Sequence, residues 1–523
     1  MKTLPKRAGL LVLVTASVLA LSSCGLSTGK GDAGSTGGTQ SKAGVIASHI
    51  VPETLDPQQG SNANNDFYIA GLYDRILNYD ANGKIVPSIA SKYEYSSDAT
   101  SITLTIRDGV TFHSGNKLTA ADVVYTLERV HKIASGSAGF ITDYVSSKAI
   151  GDNQVTITLA KPNLAFAGAL ALIYVVDSKL VSEHAGSDDG QEWLSSNDAG
   201  SGPYTLKSYN PASEVDLAVY DKYWDKKNRP DSLVMRIFKE NSALRDETLA
   251  GTADIGTSMA VSDLDTFKGK KGFQITEHQS PLVTIGAMNT ESGITKDIKV
   301  REAIQLAYDY SAHIKNALKG WGKPADSLVP AYMQCRYTTD PAKQDVAKAK
   351  QLIQEAGVAG QTVTIAYQSI IPEQGTAGTI LEANLRDIGL NVDVKQITYS
   401  QYLEMIKKPE TTPDVSILWD LAQYPDIGSM LTHTWSSSSI GQSNFARNSN
   451  PEVDRLLAEG TTSTDQKTAC ADFEQAQKAI IQDRPTMLIA FPSRVQVQNE
   501  KFAPIPYSPI AATYDISLLT LAE

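Results

Sequence analysis

The chain has 523 residues, 41% of them hydrophobic and 20% charged, with a formal net charge of −11. That length and balance describe a globular protein of more than one domain, and an acidic chain lacks the basic face of a nucleic-acid binder. Three cysteines, with no CxxC pair and no Cys/His cluster, exclude a structural zinc site.

At the N-terminus, Lys2, Lys6 and Arg7 precede an apolar run from Ala8 to Leu21 that is too short to span a bilayer comfortably. The run ends in Leu21-Ser22-Ser23-Cys24-Gly25, which resembles the bacterial lipobox. That resemblance implies removal of residues 1–23 as a signal peptide and a diacylglyceryl group on the Cys24 sulfur. Two acyl chains hold a protein stably at a membrane where one is marginal. Residues 24–43 are rich in Gly, Ser and Thr and read as a flexible tether. No later stretch offers 18 consecutive apolar residues, so the body is expected outside the bilayer, on the extracytoplasmic face. In that oxidising compartment Cys335 and Cys470 read either as a disulfide or as two buried thiols; a bridge needs a Cα separation that sequence does not supply.

From Ile46 onward, short alternating strands interleave with amphipathic helices. Ser101–Arg107 places Ile102, Leu104 and Ile106 on one face, the pattern of a half-buried strand, and Asp108-Gly109 turns it. Thr119-Ala120-Ala121-Asp122 reads as a capping box ahead of a helix carrying Val123, Val124, Leu127 and Val130. Gln154–Leu159 repeats the strand pattern. Further on, Asp340-Pro341 is expected to start a helix that Gly357 stops. Thr362–Tyr367 follows as a strand, Ile380–Asp387 as a helix, and Val392, Val394 and Ile397 as a strand again. Asp465–Asp483 reads as a helix halted before Pro485, and Met487–Phe491 as a short apolar strand. Strands alternating with helices predict an α/β fold with a largely parallel sheet and its ligand at the strand ends.

The stretch from Leu104 through Phe112-His113-Ser114-Gly115 to Asp122-Val123-Val124 resembles the signature of the family 5 extracellular solute-binding proteins, the peptide- and nickel-type receptors of ABC importers. Other marks follow in the family's order: Thr54-Leu55-Asp56-Pro57, Leu72-Tyr73-Asp74, Gly200-Ser201-Gly202-Pro203-Tyr204, Tyr223-Trp224, Gly251–Ile255, Val300-Arg301-Glu302-Ala303, Tyr308-Asp309, Gly389–Val392 and Asn450-Pro451-Glu452-Val453-Asp454. The resemblance implies a two-lobed, periplasmic-binding-protein-like clam shell of type II with a third, small inserted domain. Lobe I would take residues 44–83, 200–289 and 492–523, the small domain 84–199, and lobe II 290–491. It also implies a monomer that needs no cofactor and passes its solute to an ABC permease and its ATPase subunits. Most of the motif residues read as scaffold; His113 braces its loop rather than holding a metal.

Beyond the tether, no GxSxG, HExxH, GxxxxGK[ST] or GxGxxG string occurs, and seven histidines are scattered without an i, i+4 pair. Neither a catalytic centre nor a metal site is implied. The candidate ligand site is Trp419-Asp420-Leu421-Ala422-Gln423-Tyr424-Pro425-Asp426, after the apolar run Val415–Leu418. In peptide receptors of the family this segment carries a Trp followed by an Asp that takes the ligand's ammonium group. Gln423 stands at that place here, and Asp420 is the nearest substitute. Trp419, Tyr424 and Trp435 are candidate aromatic walls, and Asn444 and Arg447 candidate hydrogen-bonding groups. A peptide is the first expectation for the ligand. A neutral solute such as an oligosaccharide, suited to Gln423, is the second, and a nickel chelate supported by His433 alone the third. An envelope enzyme or a structural lipoprotein are the competing classes.

Overall fold

The structure is a computed structural model, and it describes residues 42–59, 63–422, 424–510 and 515–523. Cys24, the signal segment and Gln423 lie outside the described residues. Among those described, a 12-stranded mixed sheet runs through the body in the order Asn391–Ile397, Thr362–Gln368, Val415–Leu421, Leu282–Met288, Thr486–Asn499, Ile255–Gly256, Ala43–Ser48, Ser232–Ile237, Glu214–Val219, Tyr204–Asn210, with Phe273–Gln279 and Gly322–Pro324 pairing on Thr486–Asn499.

The expectation of a largely parallel sheet is overturned. Parallel pairing is confined to Thr362–Gln368 with its two neighbours and to Ala43–Ser48 with its two; the remaining pairs are antiparallel. The strand Thr486–Asn499, which reads as five residues in sequence but extends to 14, takes part in four of the seven antiparallel pairs. Its first part pairs antiparallel with Leu282–Met288 and its second with Phe273–Gln279. One long strand therefore belongs to both lobes.

Alternation in the small antiparallel sheet builds its core. Ile102, Leu104 and Ile106 are 0–4% exposed and pack with Val155, Ile157 and Leu159 beneath the helix Ala120–Ile133. Burying each such side chain contributes about 1.5–3 kcal/mol. The helix starts as its sequence predicts: the Thr119 backbone N–H donates to Asp122 Oδ2 at 2.8 Å. Two other helix starts differ. The helix ending at Gly357 begins at Val346, with Asp345 as cap accepting from the Lys348 N–H, rather than at Asp340-Pro341. The helix ending at Asp387 begins at Pro372, eight residues ahead of Ile380.

The ordered motifs are tie points of the scaffold. Asp56 holds Arg129 through both carboxylate oxygens at 2.7 and 3.0 Å, pinning the loop after the first strand to the helix Ala120–Ile133. Asp74 accepts from Tyr223, Ser201 and Trp224, and burial pushes its carboxyl up to about 6. His113 bridges Asp198 at 2.8 Å and the Gly202 carbonyl at 2.9 Å. Gly202 sits so close to the Leu72 backbone that a Cβ there would come within 2.6 Å of it. Arg301 donates to the carbonyls of Thr295, Lys296, Asp483 and Arg484. A disulfide joins Cys335 to Cys470, with Cα atoms 4.7 Å apart. Among the described residues no helix is long and apolar enough to cross a membrane.

Candidate ligand-binding cleft

Two cavities meet at the strand Val415–Leu421. The larger, about 760 Å³, lies between the halves of the molecule: His49, Asn241 and Met259 line it from one side, Ile370, Glu373 and Trp419 from the other, with Ser280 and Pro492 between. The smaller, about 490 Å³, is lined by Asp420, Met430, His433, Trp435 and Phe445 of the second half, with Gly139 of the small domain also on its wall. Trp419 lines both.

Strand geometry explains the division. Successive residues of a strand point to opposite faces. Trp419 shares the face of its cross-strand partner Thr284, and Asp420 that of Val283. The Trp419 Nε1–H donates to Glu373 Oε2 at 2.8 Å. Glu373 Oε1 accepts from the Thr284 hydroxyl at 2.5 Å and lies 3.2 Å from His313 Nε2. The other His313 nitrogen lies 2.9 Å from the Tyr308 hydroxyl. When that hydroxyl donates to Nδ1, the Nε2–H faces Glu373 and three donors converge on one carboxylate.

Asp420 faces away from this cluster. Thr434 donates to its Oδ1 at 2.8 Å, while Oδ2 is buried with no hydrogen-bond partner. Burial without a cation raises its carboxyl to about 7, against the smaller opposing effect of the Thr434 bond. The expectation that Asp420 stands beside Trp419 as an ammonium anchor in the interlobe cleft is therefore not met by its placement. Trp435 joins Asp420 rather than Trp419: it is 1% exposed, and its Nε1–H has no partner.

The remaining candidates lie elsewhere. Tyr424 lines neither cavity; a Cβ placed on Gly168 of the small domain would lie 3.4 Å from its ring. Asn444 is fully buried and donates to the Ser436 and Asn448 carbonyls, which closes a turn. Arg447 holds Glu291 at 2.7 Å and the Ile406 carbonyl at 2.7 Å, an internal strut rather than a cleft residue. His433 lines the smaller cavity, where burial lowers its imidazole. No group of metal-ligating side chains is found among the described residues.

Sequence reasoning missed Glu373, His313 and Ile370. Ile370 is 82% exposed at the cleft, an unusual exposure for a large apolar side chain. The available signal was Ile371-Pro372-Glu373 directly after a strand, where Pro at the first helical position and Glu behind it mark a helix start at the strand's C-terminal end.

A two-lobed α/β body with a cavity between the lobes places a pocket where ligand sites preferentially form, at a domain interface. The comparisons with known proteins agree. The profile described as bacterial extracellular solute-binding proteins, family 5, middle, matches residues 84–442. The probable D,D-dipeptide-binding periplasmic protein DdpA of Escherichia coli is 27% identical over 455 residues, covering 84% of this chain and 86% of that protein. Heme-binding protein A of Haemophilus influenzae is 27% identical over 448 residues, covering 80% and 81%. The crystal structure of the substrate-binding protein CtaP of Listeria monocytogenes superposes with a TM-score of 0.83 at 22% identity, covering 92% of this chain and 99% of that one. The chain belongs to the family 5 bacterial extracellular solute-binding proteins.

Proposed function

We propose that this chain is the lipid-anchored, extracytoplasmic receptor of an ABC importer, that it captures a short peptide between its lobes, and that it does no chemistry on it. The cavity of about 760 Å³ between Trp419 on one side and Asn241 and Met259 on the other carries this reading. Its size suits a small peptide, and its mixed wall of aromatic, aliphatic and a few polar groups is that of a ligand pocket. Relatives named for dipeptides and di- or tripeptides support the ligand class, as does a solved neighbour in complex with the peptide STSA.

In this reading Cys24 carries the anchor, residues 24–43 give reach, and the body forms two lobes joined where Phe273–Gln279 passes into Leu282–Met288 and along Thr486–Asn499. The ligand contacts both lobes and stabilises the closed form, which the permease recognises in a monomeric receptor. Native mass spectrometry of the protein purified from its own host tests the ligand class: a retained peptide is expected, and a retained sugar or metal chelate would overturn it. Lipid labelling of the wild type and of Cys24→Ser tests the anchor, with label lost in the variant.

A further inference from the structure

We infer that Glu373 is the anchoring carboxylate of the cleft: it takes the ligand's amino group and positions the Trp419 indole beside it. The inference rests on the peptide reading above and assigns the charge-bearing end of that ligand to a residue outside the Trp419–Asp426 segment.

Glu373 is the second residue of the 16-residue helix Pro372–Asp387, where free backbone N–H groups and the helix dipole favour a negative charge. Its Oε1 accepts from Thr284 and faces His313, and among the described residues its Oε2 accepts from Trp419 alone. A carboxylate offers about four lone-pair positions, so one remains on Oε2. Glu373 is 8% exposed and lines the interlobe cavity, and among the described residues no Lys or Arg pairs with it. A carboxylate in a restricted cavity that no Lys or Arg pairs with, and that has a histidine on one oxygen only, is completed best at its open lone pair by a donor that brings positive charge. A primary ammonium group supplies a further hydrogen bond and a positive charge together. Asp420 does not compete for it, because it opens on the other cavity. Lys319 and Arg494 line the same interlobe space, so a ligand with a carboxylate at its far end meets cations there.

The test is calorimetry on the full mature chain with a series from di- to penta-alanine, each with a free and an acetylated N-terminus. The wild type is expected to prefer the free amine by about 30-fold or more, the effect of breaking one buried charge pair. Glu373→Gln is expected to lower that preference to about 3-fold or less, with Glu373→Asp recovering part of it. The positioning role is read separately, without ligand, from the Trp419 indole N–H resonance, assigned with Trp419→Phe; it should move in Glu373→Gln. Survival of the amine preference in Glu373→Gln, or its loss in Asp420→Asn instead, overturns the inference. A wild type that binds free and acetylated peptides alike also overturns it and leaves the peptide reading standing. A wild type that binds none of the series takes down the peptide reading and this inference with it.

Discussion

Glu373 and Asp420 flank the strand Val415–Leu421 on opposite sides, and each is less than a tenth exposed. The Thr284 hydroxyl and the Trp419 indole donate to Glu373 and His313 lies 3.2 Å from it, while at Asp420 the Thr434 hydroxyl bonds one carboxylate oxygen and the other has no hydrogen-bond partner. The two tryptophans repeat the contrast: the Trp419 N–H is bonded and at the cleft, the Trp435 N–H unbonded and buried. Burial alone therefore does not mark a binding group. The supply of donors and the direction of the remaining lone pair do, because an unmet buried charge is costly and a prepared one is not.

The sharpest test of this contrast is the pH dependence of unfolding for wild type and Asp420→Asn. The Asp420 carboxyl titrates near 7 when folded, against about 3.9 for an unfolded Asp. The folded state then holds the proton through the window between, so raising the pH from 4 to 7 favours unfolding through this group. The wild type should lose up to about 1.4 kcal/mol per pH unit relative to the variant, several kcal/mol by pH 8. Parallel urea curves for the two proteins would show that the bare oxygen has no such effect. Next in size, Glu373→Ala strands the donors of Thr284 and Trp419 and removes the partner of His313, and should lower unfolding stability by about 3 kcal/mol. The smallest effects separate the indoles. Trp419→Phe deletes a bond to a carboxylate and should cost about 2 kcal/mol, whereas Trp435→Phe deletes an unbonded N–H and should cost about 1 kcal/mol, mainly in packing. Equal costs in thermal melts would erase the distinction.

Much of the scaffold was legible. The alternation of Ile102, Leu104 and Ile106 and the capping residues Thr119 and Asp122 follow from local geometry, and the structure realises both. The cleft was legible only in part. Trp419 was read as a wall of it, yet its neighbour Asp420 was placed beside it although adjacent strand residues diverge. Glu373 was hidden by its own helix. Gly375, Thr376 and Gly378 are poor helix formers, but a Cβ on Gly378 would approach the Tyr367 ring to about 2.5 Å, so the glycine makes room for packing. The direction of the sheet was not legible either, because partners more than 200 residues apart, such as Glu277 and Val495, leave no local trace.

The ribbon formed by Phe273–Gln279, Leu282–Met288 and Thr486–Asn499 passes from one lobe to the other twice. Its ladder runs unbroken to Gln279 opposite Ser493 and resumes at Thr284 opposite Ala490. Pro281 and Pro492 fall in the gap, each without a backbone N–H to give. Ser280, Leu282, Pro492 and Ser493 all border the interlobe cavity. The break in that ladder thus runs along the floor of the chamber, bridged on one side by Gly322–Pro324, and a molecule lodged there rests on the place where the sheet passes from one wall to the other.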